Sequence, residues 1–167
     1  MNVNGQLVFV TGGGSGIGEA LSRRFAAEGA ATVVVTDLVG EQAERVAGDI
    51  GGVGLRLDVS DEAAVASTIE SIESDHGPIG LLVNNAGIAT GGSVDVPTAV
   101  WQKTWDINVM AHVYAIRAAL PGMLANGSGY ILSTVSAAGL LTNIGAAPYA
   151  VTKHAALALA EWVSSPA

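Results

Sequence analysis

The sequence contains no cysteine, and this absence excludes several kinds of chemistry at once. Disulfide bonds, thiolate nucleophiles and cysteine-ligated metal sites all require that residue. The three histidines, His76, His112 and His154, are scattered without the spacing of metal ligands, and we interpret them as ordinary surface or core residues. We therefore expect no metal site, and the lack of cysteine is compatible with a reducing compartment.

Positive charge is also scarce. Lys and Arg together number 7 against 15 Asp and Glu, which gives a formal net charge of -8. An acidic surface disfavours binding to nucleic-acid backbones and to anionic membranes. The first residues lack the basic region and apolar run of a signal peptide, and no stretch approaches the length that crosses a bilayer. We expect a cytoplasmic protein with no nucleic-acid or membrane partner.

Charged residues make up only 13% of the chain, whereas half of its residues are hydrophobic. This composition is typical of an ordered protein with extensive buried surface. A length of 167 residues suffices for one well-formed core. Because no repeat, low-complexity tract or linker interrupts the chain, we predict a single domain over residues 1–167.

Glycine is abundant, and residues 11–18 form a glycine-rich turn with the sequence TGGGSGIG. An apolar segment at 6–10 predicts a strand before the turn, and helical spacing at 19–28 predicts a helix after it. A strand, glycine turn and helix in this order can seat a phosphate at the helix N-terminus. The spacing departs from the usual dinucleotide pattern, since Ile17 stands where a third glycine is expected, and a glycine turn without a ligand is the alternative.

The second predicted strand, at residues 31–36, ends at Asp37, which follows Gly18 by 19 residues. An acidic residue at about this distance binds the adenosine ribose in dinucleotide-binding folds. A carboxylate repels a 2′-phosphate, and no Arg or Lys stands in the turn or next to Asp37 in the sequence. We therefore predict NAD in preference to NADP, with a simple helix cap as the alternative role of Asp37.

Strands and helices are predicted to alternate along the rest of the chain. Apolar runs predict strands at 53–57, 81–83 and 130–134, and helical periodicity predicts helices at 41–47, 61–75, 98–108, 109–125 and 149–164. The helix at 109–125 is expected to be interrupted or to end near Pro121. This alternation predicts an α/β fold of Rossmann type, a doubly wound parallel sheet in three αβα layers. A ligand then lies at the carboxyl ends of the strands, where Asp37, Asp58 and Asn84 fall by count.

Tyr149 and Lys153 are four residues apart, which places them on one face of a predicted helix. A free tyrosine, with a pKa of about 10, is a poor base at neutral pH. An ammonium group about 4 Å away supplies an electrostatic stabilisation of the phenolate of the size that is needed. The pair is therefore sufficient for proton transfer to or from an alcohol. The alternative is a buried tyrosine beside a solvated lysine.

Together these residues resemble the short-chain dehydrogenase/reductase family, in its simple oxidoreductase branch. The resemblance runs from about residue 5 to about residue 160 and rests on motifs in the family's order. These motifs are Thr11-x-x-x-x-Gly16-x-Gly18, Asp58, Asn84-Asn85-Ala86-Gly87, Asn108, Ser136 and Tyr149-x-x-x-Lys153.

The resemblance implies a set of residues that hold the cofactor NAD. Gly12, Gly16 and Gly18 would lie along the pyrophosphate, Asp37 would bind the adenosine ribose, and Asp58 would approach the adenine. Asn84 would support the cofactor and the central sheet. Further residues implied to contact the cofactor are Ser15, Ile17, Val59, Asn85, Ala86, Gly87, Tyr149 and Lys153.

The resemblance also implies a catalytic set. Tyr149 would be the general acid and base, and Lys153 would bind the nicotinamide ribose and lower the pKa of the tyrosine. Ser136 would hydrogen-bond the substrate oxygen and stabilise developing charge. Asn108 would support a water-mediated proton relay to Lys153. Ser133 is the rival serine, although its position on a strand makes it a poorer candidate.

Two further expectations concern partners. The substrate is expected to be a small-molecule alcohol or carbonyl compound. Residues 109–120 and 155–162 are apolar nearly all round, which indicates helices covered on two sides. Family members often associate through these helices, so we expect a homodimer or homotetramer. Trp101 and Trp105, four residues apart, are interpreted as a packing stripe.

Family members usually continue from the last helix into two further strands and a loop that closes over the substrate. We expect a sheet that lacks these last strands and leaves the fifth strand at an edge. Either the chain is a truncated product or another chain covers that edge. The resulting hypotheses are an NAD-dependent oxidoreductase that interconverts a secondary alcohol and a ketone, and a non-catalytic nucleotide-binding or assembly domain.

Overall fold

A five-stranded parallel sheet forms the middle layer of the protein. The computed structural model describes residues 2–164. The strands are β1 (Leu7–Thr11), β2 (Thr32–Asp37), β3 (Val53–Arg56), β4 (Leu81–Asn84) and β5 (Tyr130–Ser133). They lie in the order β3-β2-β1-β4-β5, and every neighbouring pair is parallel. The doubly wound sheet of Rossmann type predicted from the alternation of elements is confirmed.

Helices cover both faces of this sheet. They are α1 (Gly16–Ala27), α2 (Gly40–Ile50), α3 (Glu62–His76), α4 (Thr98–Trp105), α5 (Ala111–Ala125) and α6 (Ala147–Ser164). Helices α1 and α2 pack on one face through residues such as Val8, Val35 and Val46. Helices α3 and α5 pack on the other face around Phe9 and Leu82. The three central strands β1, β2 and β4 thus bury side chains on both sides, which explains their nearly continuous apolar sequences.

Helices α4 and α5 form one nearly continuous helical rod rather than two separate helices. A π-helical turn, Asp106–Met110, joins them and includes Asn108, which was predicted to end the first helix. The prediction of a break near Pro121 is wrong, because α5 continues through this residue to Ala125. Ala119 and Met123, on either side of the proline, are buried in the core, so packing outweighs the one missing backbone donor.

Strand β5 lies at the edge of the described sheet, as expected from the sequence. Its side chains alternate between exposed positions, Tyr130 and Leu132, and half-buried ones. Among residues 2–164, no helix is long and apolar enough to cross a membrane.

Two polar side chains are buried in the layer of α3 and α5 without hydrogen-bond partners among the described residues. Asn84 ends β4, and His112 lies in the first turn of α5, where only 1% of its surface is exposed. Burial, followed by the positive charge of Lys153, lowers the pKa of His112 to about 4. The nearby backbone of Ala86 raises this pKa slightly, although it forms no hydrogen bond with the ring. His112 is therefore a neutral residue of the core at neutral pH.

Replacing His112 should change how stability depends on acid. Because the folded pKa lies below the unfolded value of about 6.5, the unfolded chain binds more protons between the two, and stability falls as pH drops from about 6.5 to about 4. Between about pH 7 and about pH 4.5, the free energy of unfolding of His112→Gln should therefore fall by about 2–3 kcal/mol less than that of the unmodified protein. Urea unfolding at the two pH values measures this difference.

The matched control for this measurement is His76→Gln, at the exposed end of α3. It should keep the acid dependence of the unmodified protein. An equal loss of stability on acidification in His112→Gln and in the unmodified protein would contradict a neutral, buried His112.

Candidate active site

A cleft of about 480 Å³ opens at the carboxyl ends of the strands. The structure brings into its lining most of the site residues predicted from the sequence, which are Gly12, Ser15, Gly16, Ile17, Asp37, Asp58, Val59, Asn85, Ala86, Gly87, Tyr149 and Lys153. These residues follow four of the strands or lie on α1 and α6. The parallel sheet therefore collects side chains that are far apart in the sequence at a single edge.

The glycine turn is closely packed against the end of β4. Gly12 has a φ of +62°, and a Cβ at this position would lie 2.9 Å from the Cα of Ala86. A Cβ on Gly18 would overlap the carbonyl oxygen of Gly12. Gly18 is buried beneath the turn and does not line the cleft, although it was predicted to contact the cofactor. Its role in the structure is to let α1 pack directly against the turn.

Helix α1 begins at this turn without a side-chain cap. Ser15 is the N-cap residue, and its hydroxyl makes no capping hydrogen bond. The first N–H groups of a helix have no partners within the helix, and the helix dipole places partial positive charge there. Since Gly16 and Ile17 line the cleft at this end, an anionic group fits against the open start of α1.

Asn85 and Thr11 connect the turn to the neighbouring strands. The Asn85 side-chain amide donates to the carbonyl oxygens of Thr11 and Gly12, both at 3.1 Å. Its Oδ1 accepts a hydrogen bond of 3.0 Å from the hydroxyl of Thr134, just after β5. The Thr11 hydroxyl in turn accepts from the backbone N–H groups of Asn85 and Ala86. The strand ends of β1, β4 and β5 are therefore held at fixed distances.

The side chain of Asn84 does not take part in these contacts, although its backbone carbonyl accepts a 2.9 Å hydrogen bond from the N–H of Thr134. The sequence resemblance assigned it a supporting role for the cofactor and the sheet, but both polar atoms of its side chain are buried without partners among the described residues. Asn85, the next residue, makes the hydrogen bonds that join the strands. The alternation of side chains along β4 explains the difference, since successive residues point to opposite faces of the sheet.

Asp37 lies half-buried at the end of β2. Its Oδ2 accepts a hydrogen bond of 3.1 Å from the N–H of Gly14, and its Oδ1 accepts one of 3.0 Å from the N–H of Val39. The N-cap of α2 is Val39, so Asp37 is not the cap residue itself. Each oxygen of a carboxylate accepts more than one hydrogen bond, so Asp37 keeps acceptor capacity toward the cleft.

Asp58 follows β3 and also faces the cleft. The Ser60 hydroxyl and backbone N–H both donate to its Oδ1, at 2.6 and 3.0 Å. Both hydrogen bonds lower the pKa of Asp58 below its ordinary value, and the one from the Ser60 hydroxyl has the larger effect. The cleft therefore carries an ionised carboxylate next to Val59.

Tyr149 and Lys153 face the same end of the cleft from α6. The Lys153 ammonium lies 5.8 Å from the centre of the Tyr149 ring and donates a 3.0 Å hydrogen bond to the carbonyl oxygen of Thr134. Only 5% of Lys153 is exposed, and this burial lowers the pKa of its amino group. An ammonium has three donors, so the bond to Thr134 leaves two for a ligand or for the phenol oxygen.

Asn108 lies behind this pair in the π-helical turn and is fully buried. Its side-chain amide bonds both backbone groups of Ile88, accepting from the N–H at 2.8 Å and donating to the carbonyl at 3.0 Å. It also donates to the Thr152 hydroxyl at 3.0 Å. Asn108 does not line the cleft, and its side chain fixes the segment after β4 against α6.

The two candidate serines lie in different places. Ser136 does not line the cleft; its Oγ accepts a 3.1 Å hydrogen bond from the Ala138 N–H and caps a short 3₁₀ turn, Ala137–Gly139. Ser133 lines a separate groove between β5, α5 and α6. Neither serine lines the cleft, and the choice of Ser136 over Ser133 as the serine next to Tyr149 stays a prediction.

The sequence reasoning missed several residues of the cleft, which are Leu38, Leu57, Ile88, Ala89, Ile107 and Thr134. Thr134 could have been found, because it is the last residue of the strand predicted at 130–134, at the level of the other site residues. No Arg or Lys lies in the glycine turn or next to Asp37 in the sequence, but the folded chain brings an arginine to the turn. Arg45, on α2, donates a 3.1 Å hydrogen bond to the carbonyl oxygen of Gly14.

Trp101 and Trp105 do not form one packing stripe. Trp101 is half-buried and lines an apolar groove with His154, apart from the cleft. Trp105 is more exposed, with 38% of its surface accessible.

Comparison with known proteins identifies relatives over nearly the whole chain. Epidermal retinol dehydrogenase 2 from Mus musculus is 34% identical over 166 residues, which are 96% of this chain and 54% of the relative. Meso-2,3-butanediol dehydrogenase from Serratia marcescens is 35% identical over 95% of this chain and 64% of the relative. The chain thus spans between about half and two thirds of the length of these relatives.

Solved structures agree with this relationship. A short chain dehydrogenase/reductase from Burkholderia phymatum, in complex with NAD, superposes with a TM-score of 0.93 at 29% identity, over 98% of this chain and 60% of that structure. The family model described as short chain dehydrogenase matches residues 6–165. This chain therefore belongs to the short chain dehydrogenase family.

Proposed function

We propose that the protein is an NAD-dependent oxidoreductase that interconverts a secondary alcohol and a ketone. The observation that carries this proposal is the position of Tyr149 and Lys153 in the same cleft as the open N-terminus of α1. One end of the cleft suits a phosphate, and the other holds a phenol beside a buried cation. A chain that only bound a nucleotide would have no need for the second arrangement.

The cleft fits a dinucleotide along its whole length. Gly12 lets the turn pack closely against Ala86, the start of α1 offers N–H groups to a pyrophosphate, and Asp37 offers acceptors to ribose hydroxyls. Ser15, Ile17, Asp58 and Val59 would bound the adenosine half. The relative from Burkholderia phymatum was solved with NAD, which supports the same cofactor for this chain. When bound, the nicotinamide ring supplies or accepts the hydride.

Tyr149 would hold and move the proton that accompanies this hydride. In reduction its phenol donates the proton to the carbonyl oxygen, and in oxidation its phenolate accepts the proton of the alcohol. The Lys153 ammonium, held in place by the Thr134 carbonyl, stabilises the phenolate by its charge. Burial strengthens this interaction, since few water molecules reach the ammonium to screen it.

Ser136 and Asn108 would act on either side of this pair. The Ser136 hydroxyl accepts from Ala138, which leaves its own O–H free to donate to a substrate oxygen. Asn108 acts as a positioning residue, because its amide fixes the backbone of Ile88 and the Thr152 hydroxyl one residue before Lys153. A water-mediated relay near Asn108 would then carry the proton away from Lys153.

A non-catalytic nucleotide-binding domain is the second candidate. It is favoured by one finding, that the chain spans 54% to 64% of the length of these two relatives. This candidate shares the cofactor cleft with the first. It differs in predicting cofactor binding without turnover.

Homo-oligomer formation is also part of the proposal. Helix α6 exposes Val151 and Trp162, with 49% and 76% of their surfaces accessible. Apolar side chains of this size on one helix favour contact with a second copy of the chain. Most large apolar residues of α5 are at least half-buried within the chain itself, so α6 would contribute more of the contact.

Substitution of the tyrosine separates the two candidates. Tyr149→Phe should lower the rate of NAD reduction by secondary alcohols by about 100-fold or more, because the proton acceptor is lost. Its affinity for NADH should change little. The rate would be followed by the absorbance of NADH over a panel of secondary alcohols, with Tyr130→Phe on the exposed edge strand as the control.

Each outcome of that experiment decides something. Turnover that survives in Tyr149→Phe would refute the role given to this residue. Clear NADH binding with no turnover by the unmodified chain would establish the non-catalytic candidate instead.

The cofactor preference has its own test at Asp37. The unmodified protein should bind NADH more tightly than NADPH, and Asp37→Asn should narrow this preference by about tenfold, because a carboxylate no longer repels the 2′-phosphate. Titration of the fluorescence of each reduced dinucleotide measures both affinities. The control is Asp75→Asn, which removes the same charge at the end of α3, far from the cleft, and should leave the preference unchanged. Tighter binding of NADPH than of NADH by the unmodified protein would contradict the role given to Asp37.

A further inference from the structure

Four charged side chains of α1 and α2 form a cluster beside the glycine turn. We call Glu19, Arg23, Arg45 and Asp49 the α1–α2 charge cluster. Both oxygens of Glu19 bind Arg45, at 2.9 and 3.2 Å, and Oε1 also accepts from Arg23 at 2.8 Å. Arg23 extends to Asp49 at 2.7 Å. Two guanidinium groups are therefore paired with two carboxylates, and the cluster as a whole is neutral.

This cluster reaches the cofactor cleft through a single residue. Arg45 donates from Nη2 to the carbonyl oxygen of Gly14 at 3.1 Å, while the N–H of the same glycine donates to Oδ2 of Asp37, also at 3.1 Å. Gly14 thus has a guanidinium on one side and the ribose-binding carboxylate on the other. The Arg45 guanidinium and the Asp37 carboxylate, which would distinguish a ribose hydroxyl from a ribose phosphate, are thus bound to the same residue.

Glu19 is firmly held in this arrangement. Hydrogen bonds from Arg45 and then Arg23 lower the pKa of its carboxyl to about 2, so it stays ionised throughout the neutral range. An ionised carboxylate that binds a guanidinium through two oxygens occupies the fork with which arginine binds phosphates. The charge of Arg45 is therefore balanced by Glu19, and its two terminal nitrogens are already bonded to that carboxylate.

We propose that Glu19 is a specificity-determining residue, which restricts the cleft to dinucleotides without a 2′-phosphate by keeping Arg45 in an ion pair. The inference rests on the proposed function, because it concerns the ribose end of the same cleft. Asp37 acts directly by repulsion, whereas Glu19 acts through Arg45. Releasing Arg45 turns a neutral cluster into one with a net positive charge beside Gly14, which favours an added phosphate.

A purely structural ion pair is the rival explanation. It predicts that the loss of Glu19 weakens the contact between α1 and α2 and alters the affinity for every dinucleotide in proportion. The specificity role predicts a change in the ratio of two affinities. Since NADH and NADPH differ only in the 2′-phosphate, their ratio cancels general effects on the fold and on the pyrophosphate site.

The experiment measures the ratio of the dissociation constants of NADH and NADPH by fluorescence titration. In Glu19→Gln this ratio should shift toward NADPH by about tenfold, the effect of freeing one nearby cation. Arg45→Gln introduced into Glu19→Gln should remove the shift. The control is Glu28→Gln, which removes the same charge from the end of the same helix, where Glu28 pairs with Arg24 and not with Arg45.

A second variant guards against loss of the fold. Glu19→Asp keeps the charge but shortens the side chain, so it should loosen the hold on Arg45 and shift the ratio in the same direction by about twofold. Thermal unfolding of each variant shows whether it is folded at the temperature of the titration. A shift of the ratio in either Glu19 variant that requires Arg45 supports the inference.

The remaining outcomes overturn it in distinguishable ways. An unchanged ratio, or a shift that persists without Arg45, refutes the role of Glu19 and leaves the proposed function standing as long as NADH binds. Failure of the unmodified protein to bind either dinucleotide refutes the proposed function and this inference together.

Discussion

The hydrogen bonds between Thr11 and Asn85 determine the shape of the cleft. They join the end of β1 to the end of β4, and the contact of Asn85 with Thr134 adds the end of β5. The glycine turn can approach Ala86 closely because Gly12 has no side chain. Together with the pairing of β1, β4 and β5 in the sheet, this connection fixes the distance between the open start of α1 and the Lys153 amine, so that a single ligand could use both.

The end of the cleft that holds Tyr149 and Lys153 depends on buried polar contacts rather than on apolar packing. Lys153 is nearly inaccessible, yet its ammonium has a carbonyl partner in Thr134, and Asn108 satisfies both backbone groups of Ile88. Such contacts are costly to leave incomplete in a protein interior, so they specify one arrangement of the residues involved. The π-helical turn at Asp106–Met110 belongs to this arrangement, because it carries Asn108 into the interior.

The sequence predicted the sheet well and the details of the site less well, for a physical reason. The central strands contain runs of apolar residues, such as residues 33–35 in β2, and a buried parallel strand leaves that signature in the sequence itself. Asp37 and Tyr149 were found because motif spacing reports on strand ends and helix faces. The contact of Arg45 with Gly14 spans 31 residues and depends on how α2 packs, which no local pattern records. The helix through Pro121 was missed because core packing overrode a local preference.

The order of the strands has a consequence for how the protein folds. Strand β1 pairs with β2 and with β4, yet Thr11 and Asn85 are 74 residues apart in the chain. Contacts of such high sequence separation form late, because the entropy of closing a long loop is lost before the contact is gained. The earlier β1–α1–β2 unit can associate while the chain beyond it is still unstructured. Because the cleft is built from segments throughout the chain, a bound nucleotide would stabilise only the fully assembled molecule.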